Sequence, residues 1–141
     1  VICRYLCNAH AVTSTLYPTH PAARAVVEMW MDFQQTALNR SHSVLFQGLI
    51  RTAPEHRDMT AIAEAIAEAG RIWSILDARL AHHAYIAADS LTLADIAYGP
   101  HLHRWLKMDF EGRVDLPHLA AWYERLMTHP AYAAHCAITI T

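Results

Sequence analysis

Between residues 62 and 80 the apolar side chains return with the period of an α-helix. Ile62, Ile66, Ala69, Trp73, Leu76 and Leu80 follow at steps of four, three, four, three and four. Glu64, Glu68, Arg71 and Arg79 fall on the opposite side. That pattern predicts an amphipathic helix of roughly 24 residues. Its stripe has to be covered, and no segment of the chain carries the two-residue alternation of a half-buried strand. The cover must therefore come from other helices, and the expected class is all-α. A small residue, Gly70, interrupts the helix at a cost of up to about 1 kcal/mol against Ala. It is expected to let a neighbouring helix approach closely.

The remaining elements follow from similar local signals. Residues 1–8 read as a short apolar helical piece. Residues 9–20 read as a linker, with Pro18, Thr15 and Ser14 and no sustained period. Pro21 stands at a favourable helix entry. Val26, Trp30, Phe33 and Ala37, continued by Leu45 and Leu49, predict a long helix to about Thr52, with a kink near Ser41-His42-Ser43 or at Gly48. Pro54 ends or redirects it. Leu91-Thr92-Leu93-Ala94-Asp95-Ile96 is the most specific local motif. Thr92 fits the N-cap, Asp95 reaches back as the third helical residue, and Leu91 and Ile96 form the matching hydrophobic staple. The helix it opens runs to about Met108. Another starts at Leu116-Pro117, with the stripe Leu119, Trp122, Tyr123 and Leu126, and stops before Pro130. Ala131 to Ala137 can form one more short helix. The β-prone tail from Ile138 to Thr141 is too short to matter.

Composition narrows the function classes. A chain of 141 residues with 54% apolar residues can build one compact core and is not disordered. A net charge of -2 argues against a dedicated nucleic-acid binder. No run of 18 apolar residues indicates a membrane span. Cys3, Cys7 and Cys136 make an odd set without metal-ligand spacing, which reads as reduced thiols in a cytoplasmic protein. The 11 histidines lack the spacing of a helical zinc pair, so no metal site is expected and most are read as exposed or in loops.

Four segments, in order, resemble the C-terminal helical domain of soluble glutathione transferases of the kind common in bacteria. They are Arg24 to Phe33, Asp89 to Ile96, Leu116 to Leu126, and His129-Pro130-Ala131-Tyr132. The resemblance implies a helical bundle of about five to six helices over residues 21–141. It also implies that Ile2 to Leu6 is a remnant of the last helix of a thioredoxin-like domain, with the catalytic residue in that other half. Residues 1–8 are then expected to be loose or re-docked in this chain.

The same resemblance nominates site residues. One side of the first long helix borders the family's cleft for an electrophilic, mostly apolar co-substrate, which points to Trp30, Phe33, Gln34, Ala37 and Ser41. The simpler reading of Trp30 and Phe33 is core. His101 and Trp105, on the helix opened by the capping box, border the same pocket by resemblance. Asn39 and Arg40 match a His-Lys turn near glutathione in some bacterial members. Asn39 departs from that His. Arg40 keeps a charge that suits an anionic tripeptide or plain solvent. Asp95 is read as a structural cap rather than a catalytic carboxylate. The implied protein is a homodimeric transferase with glutathione as co-substrate, no tightly bound cofactor, and no activity in this chain alone. The alternatives are a non-catalytic glutathione transferase-like interaction or assembly module, and a free-standing helical domain of another function.

Overall fold

A computed structural model describes residues 1–12 and 14–140. Among these residues every regular element is helical. Helix α1 is Ile2–His10. Helix α2 spans 21–51 and is built from Pro21–Phe33, a π segment Gln34–Leu38, a regular stretch Asn39–Phe46 and a second π segment Gln47–Arg51. After a 3₁₀ turn at Pro54–His56 come α3 (Met59–Leu80), α4 (Leu93–Lys107), α5 (Pro117–Met127) and α6 (Pro130–His135). Thr141, at the end of the apolar tail, lies outside the described residues.

Helix α3 is the axis of the core. Ile62, Ala69, Trp73, Leu76 and Leu80 are buried as its period predicts, but Ile66 is only half-buried. Ala65 and Ile72 are buried instead, because α2 and α5 pack on α3, and Tyr98 and Trp105 of α4 reach Trp73. Trp73, Trp105 and Trp122 are completely inside. The close approach expected at Gly70 lies elsewhere. A Cβ on Gly70 would meet the loop side chain of Val114 at 3.3 Å, whereas a Cβ on Gly48 would lie 2.8 Å from Ile62 Cγ1. Gly48 is thus the position where α2 closes onto α3.

Helix α2 departs most from its expected face. Val26, Trp30, Phe33 and Ala37 are half-buried, and the buried positions are Val27, Gln34, Leu38, Ser41, His42 and Leu45. The buried positions Val27, Gln34, Leu38, Ser41 and Leu45 keep a helical spacing of seven, four, three and four, but Gln34, Ser41 and the neighbouring His42 are polar, and an apolar count passes over them. The Ser41–Ser43 stretch is regular helix, and the second irregular turn contains Gly48.

The helix ends are tied by groups both near and far in sequence. Asp58 caps α3 by accepting from the Ala61 N–H at 3.0 Å. Arg57 donates to the carbonyls of Leu49 and Thr52, serving the end of α2. Asp77, inside α3, accepts from the Leu119 N–H at 2.7 Å and so caps the first turn of α5. Leu16 and Tyr17 are tied to the helices on either side. Leu16 O accepts from the Leu93 N–H, Tyr17 is buried and bonded to Glu28, and Arg24 lies over its ring. Helix α1 docks through buried Cys7 and an Arg4–Asp32 contact of 2.8 Å. Its Ile2, Tyr5 and Leu6 remain exposed.

Candidate functional site

Helix α4 carries two polar clusters, one at its start and one at its middle. The first is the capping box. Thr92 and Asp95 form it reciprocally. The Thr92 N–H and hydroxyl both donate to Asp95 Oδ2, at 2.8 and 2.9 Å. Oδ1 accepts from the Ile86 N–H at 3.0 Å, which fixes the loop ahead of the helix. Asp95 is fully buried. Burial pushes its carboxyl up, and these hydrogen bonds pull it back. Leu91 and Ile96 flank it half-buried. All its bonds go to structural groups, which makes Asp95 a folding device.

The second cluster forms where α2 crosses α4. His101 Nε2 lies 3.3 Å from Gln34 Nε2 and 3.4 Å from Asn39 Oδ1. One imidazole nitrogen cannot accept from Gln34 and donate to Asn39 at once, so the cluster has two arrangements that differ by a tautomer. Beneath it, His42 is buried and accepts from the Trp73 indole N–H at Nε2, at 2.9 Å. That bond puts the His42 proton on Nδ1, which finds no partner among the described residues, and neither does His101 Nδ1. The two imidazoles meet edge to face with centroids 5.2 Å apart. Burial holds His42 neutral down to about pH 3, helped by His101 and Arg104. Burial and Arg104 bring His101 to about 4. The cluster is thus neutral, electropositive in surroundings and incompletely bonded.

The structure brings together Gln34, Asn39 and His101 of the nominated residues. Trp30 and Phe33 stack edge to face at 5.9 Å on α2, both half-buried. Ala37 is half-buried and Arg40 exposed. Ser41 is buried and bonded to Leu38 O of its own helix. Trp105 is completely buried against Trp73, His42 and Phe110 and reaches no surface.

Sequence reasoning missed His42 and Trp73 as cluster members and Arg104 as their neighbour. The available signal was polar side chains at Gln34, Ser41 and His42, a one-face helical spacing that apolar counting passes over. Most histidines are exposed or outside helices, as expected, but His42 and His103 are buried in helices. Among the described residues no group of three or more His, Cys, Asp or Glu is placed to hold a metal ion. No helix among them is long and apolar enough to cross a membrane.

Known proteins align with this architecture. The family model for the glutathione S-transferase C-terminal domain matches residues 59–125. The chain is 33% identical over 130 residues to the glutathione S-transferase GstB of Escherichia coli K12, covering 92% of this chain and 62% of that protein. It thus spans less than two thirds of that relative's length. Among solved structures, the theta class glutathione S-transferase of Xanthomonas axonopodis pv. citri is similar in two forms. The glutathione-bound form has a TM-score of 0.93 at 36% identity, over 99% of this chain and 66% of that one. The apo form has a TM-score of 0.92 at 36% identity, over 99% and 72%. At this identity, over most of its own length and nearly three quarters of the apo structure's, the chain belongs to the glutathione S-transferase family.

Proposed function

We propose that this chain is the co-substrate-binding and dimerisation domain of a cytoplasmic, homodimeric transferase that conjugates glutathione to electrophilic, mostly apolar compounds. The reading rests chiefly on α2, where the half-exposed Trp30–Phe33 pair shares a helix with Gln34 and Asn39, the residues that meet His101 of α4. An aromatic wall beside a few convergent polar groups suits an apolar molecule with a polar handle. Trp30, Phe33, Ala37, Gln34 and His101 would line the co-substrate. Ser41 and Trp105 would support that wall from beneath. Asn39 and Arg40 would stand nearest glutathione, Arg40 with its charge free for a carboxylate.

In this reaction the glutathione thiolate attacks the electrophilic carbon, a C–S bond forms, and the leaving group departs with its electron pair. Thiolate activation would be the work of the thioredoxin-like half. This chain would contribute position and an apolar surface, which hold the electrophile beside the thiolate and raise the effective concentration of one reactant at the other. The test is conjugation of glutathione to a chlorodinitrobenzene by the full-length protein. Saturable thioether formation supports the reading. A folded full-length protein that neither conjugates nor is retained on glutathione resin contradicts it and favours an assembly module.

A further inference from the structure

Three histidines of α2 and α4 bond across the bundle, and two of them carry their proton at a fixed place. His42 Nε2 accepts from the Trp73 indole N–H at 2.9 Å, and an indole can only donate, so the proton is on Nδ1. His103 Nε2 lies 2.9 Å from the Ile138 carbonyl, which can only accept, so the proton is on Nε2. Its Nδ1 then accepts from the Tyr123 hydroxyl at 2.9 Å. His101 is different. Its Nε2 has carboxamides for partners, Gln34 at 3.3 Å and Asn39 at 3.4 Å. Both contacts are longer than the roughly 2.9 Å of a formed bond. On the other side Nδ1 sits near the Ala97 carbonyl, one turn back, without closing a bond. No partner among the described residues locks this proton.

A carboxamide exchanges donor for acceptor by a half-turn about its last bond. With the His101 proton on Nε2, Gln34 and Asn39 turn their oxygens to the ring and hold their amino groups away from it. With the proton on Nδ1, Nε2 accepts from the amino groups and the two oxygens face away. The trio therefore offers either donors or acceptors beyond the ring, and one tautomer exchange separates the two offers. Burial and Arg104 keep His101 neutral down to about pH 4, so both tautomers are open at neutral pH. A protonated ring could only donate.

We propose that Gln34, Asn39 and His101 read the polar handle of the co-substrate by tautomer exchange, seating an acceptor such as a ketone and a donor such as an arylamine at one place. The proposal rests on the reading of α2 as the border of the co-substrate cleft. To that reading it adds the class of handle, which is a neutral donor or acceptor on the apolar body that Trp30 and Phe33 would face.

The experiment is calorimetric titration of the full-length protein with three S-benzylglutathiones that differ only in the para group. Acetyl accepts a hydrogen bond, amino donates one, and ethyl does neither. The acetyl and amino probes should each bind at least fivefold more tightly than the ethyl probe, about the worth of one neutral hydrogen bond, and within threefold of each other. His101→Met should remove both advantages and leave the ethyl affinity within twofold. His101→Gln, which can also donate or accept, should keep them. A merely structural role would weaken all three probes alike. Nitrogen-15 NMR of the imidazoles, with His101 assigned by its loss in His101→Gln, reads the exchange itself. The proton should sit on Nε2 with the acetyl probe and on Nδ1 with the amino probe. The same tautomer in both complexes, an advantage for one handle alone, or equal binding of all three probes would overturn the proposal and leave the transferase reading standing. Failure of all three probes to bind would overturn that reading and the proposal with it.

Discussion

The two polar clusters on α4 differ in burial and in bonding: Thr92 and Asp95 are buried, while His101 and Asn39 are half-buried. At its start, Asp95 uses both carboxylate oxygens on three donors, all between 2.8 and 3.0 Å. At its middle, His101 shares one nitrogen between two partners at 3.3 and 3.4 Å, and among the described residues His42 Nδ1 has no partner. A buried network that is fully bonded specifies one conformation, and one that is partly bonded forgoes stability. The contrast separates a region that secures the fold from one with bonding capacity to spare.

The largest effect should come from the secure cluster. Asp95→Ala strands the Ile86 and Thr92 N–H groups inside the protein, at roughly 1–3 kcal/mol each. A loss of about 2–5 kcal/mol is expected in denaturant unfolding. A loss under about 1 kcal/mol would show that water replaces the carboxylate and would remove the contrast.

The second effect is a pH dependence from the other cluster. The His42 pKa in the folded protein lies near 3, below the ordinary histidine value of 6.5. The unfolded chain therefore binds the extra proton first, and stability falls as pH drops below 6.5 toward 3. By pH 5 His42 alone should have cost about 2 kcal/mol. His42→Asn, which keeps an acceptor for Trp73, should flatten the slope of unfolding free energy between pH 7 and 5. An unchanged slope would place the acid sensitivity elsewhere.

A smaller effect is expected at Asp77, whose cap on α5 reaches across the fold. Asp77→Ala should cost about 1 kcal/mol, read as a lower Tm. Smallest of all should be Gln34→Ala, within about 0.5 kcal/mol by chemical unfolding because its contact to His101 is long. A larger loss would mean that the second cluster is as structural as the first.

How much of this was legible in the sequence follows from the distance between partners. Thr92 and Asp95 stand three residues apart, so their bond could be read directly. The Ile86 bond to the same carboxylate could not, because it needs the path of the loop. Asp77 and Leu119 are far apart in sequence, and nothing local marks Asp77 as a cap. The α5 stripe was read correctly because one regular helix carries it. The α2 stripe was not, because polar Gln34, Ser41 and His42 occupy its buried face while Val26, Trp30 and Phe33 stand half out of it. Of the site, resemblance supplied Gln34, Asn39 and His101, which do meet. It could not supply His42 and Trp73, whose bond exists only after α2 and α3 pack.

The central claim is that the aromatic edge of α2 serves a ligand rather than the core. It is tested most directly by measuring KM for the electrophile and Tm together in the full-length Trp30→Ala/Phe33→Ala double variant. The account predicts a KM raised at least fivefold with Tm lowered by only a few degrees. A Tm that collapses, or a KM that stays at the wild-type value, would contradict it.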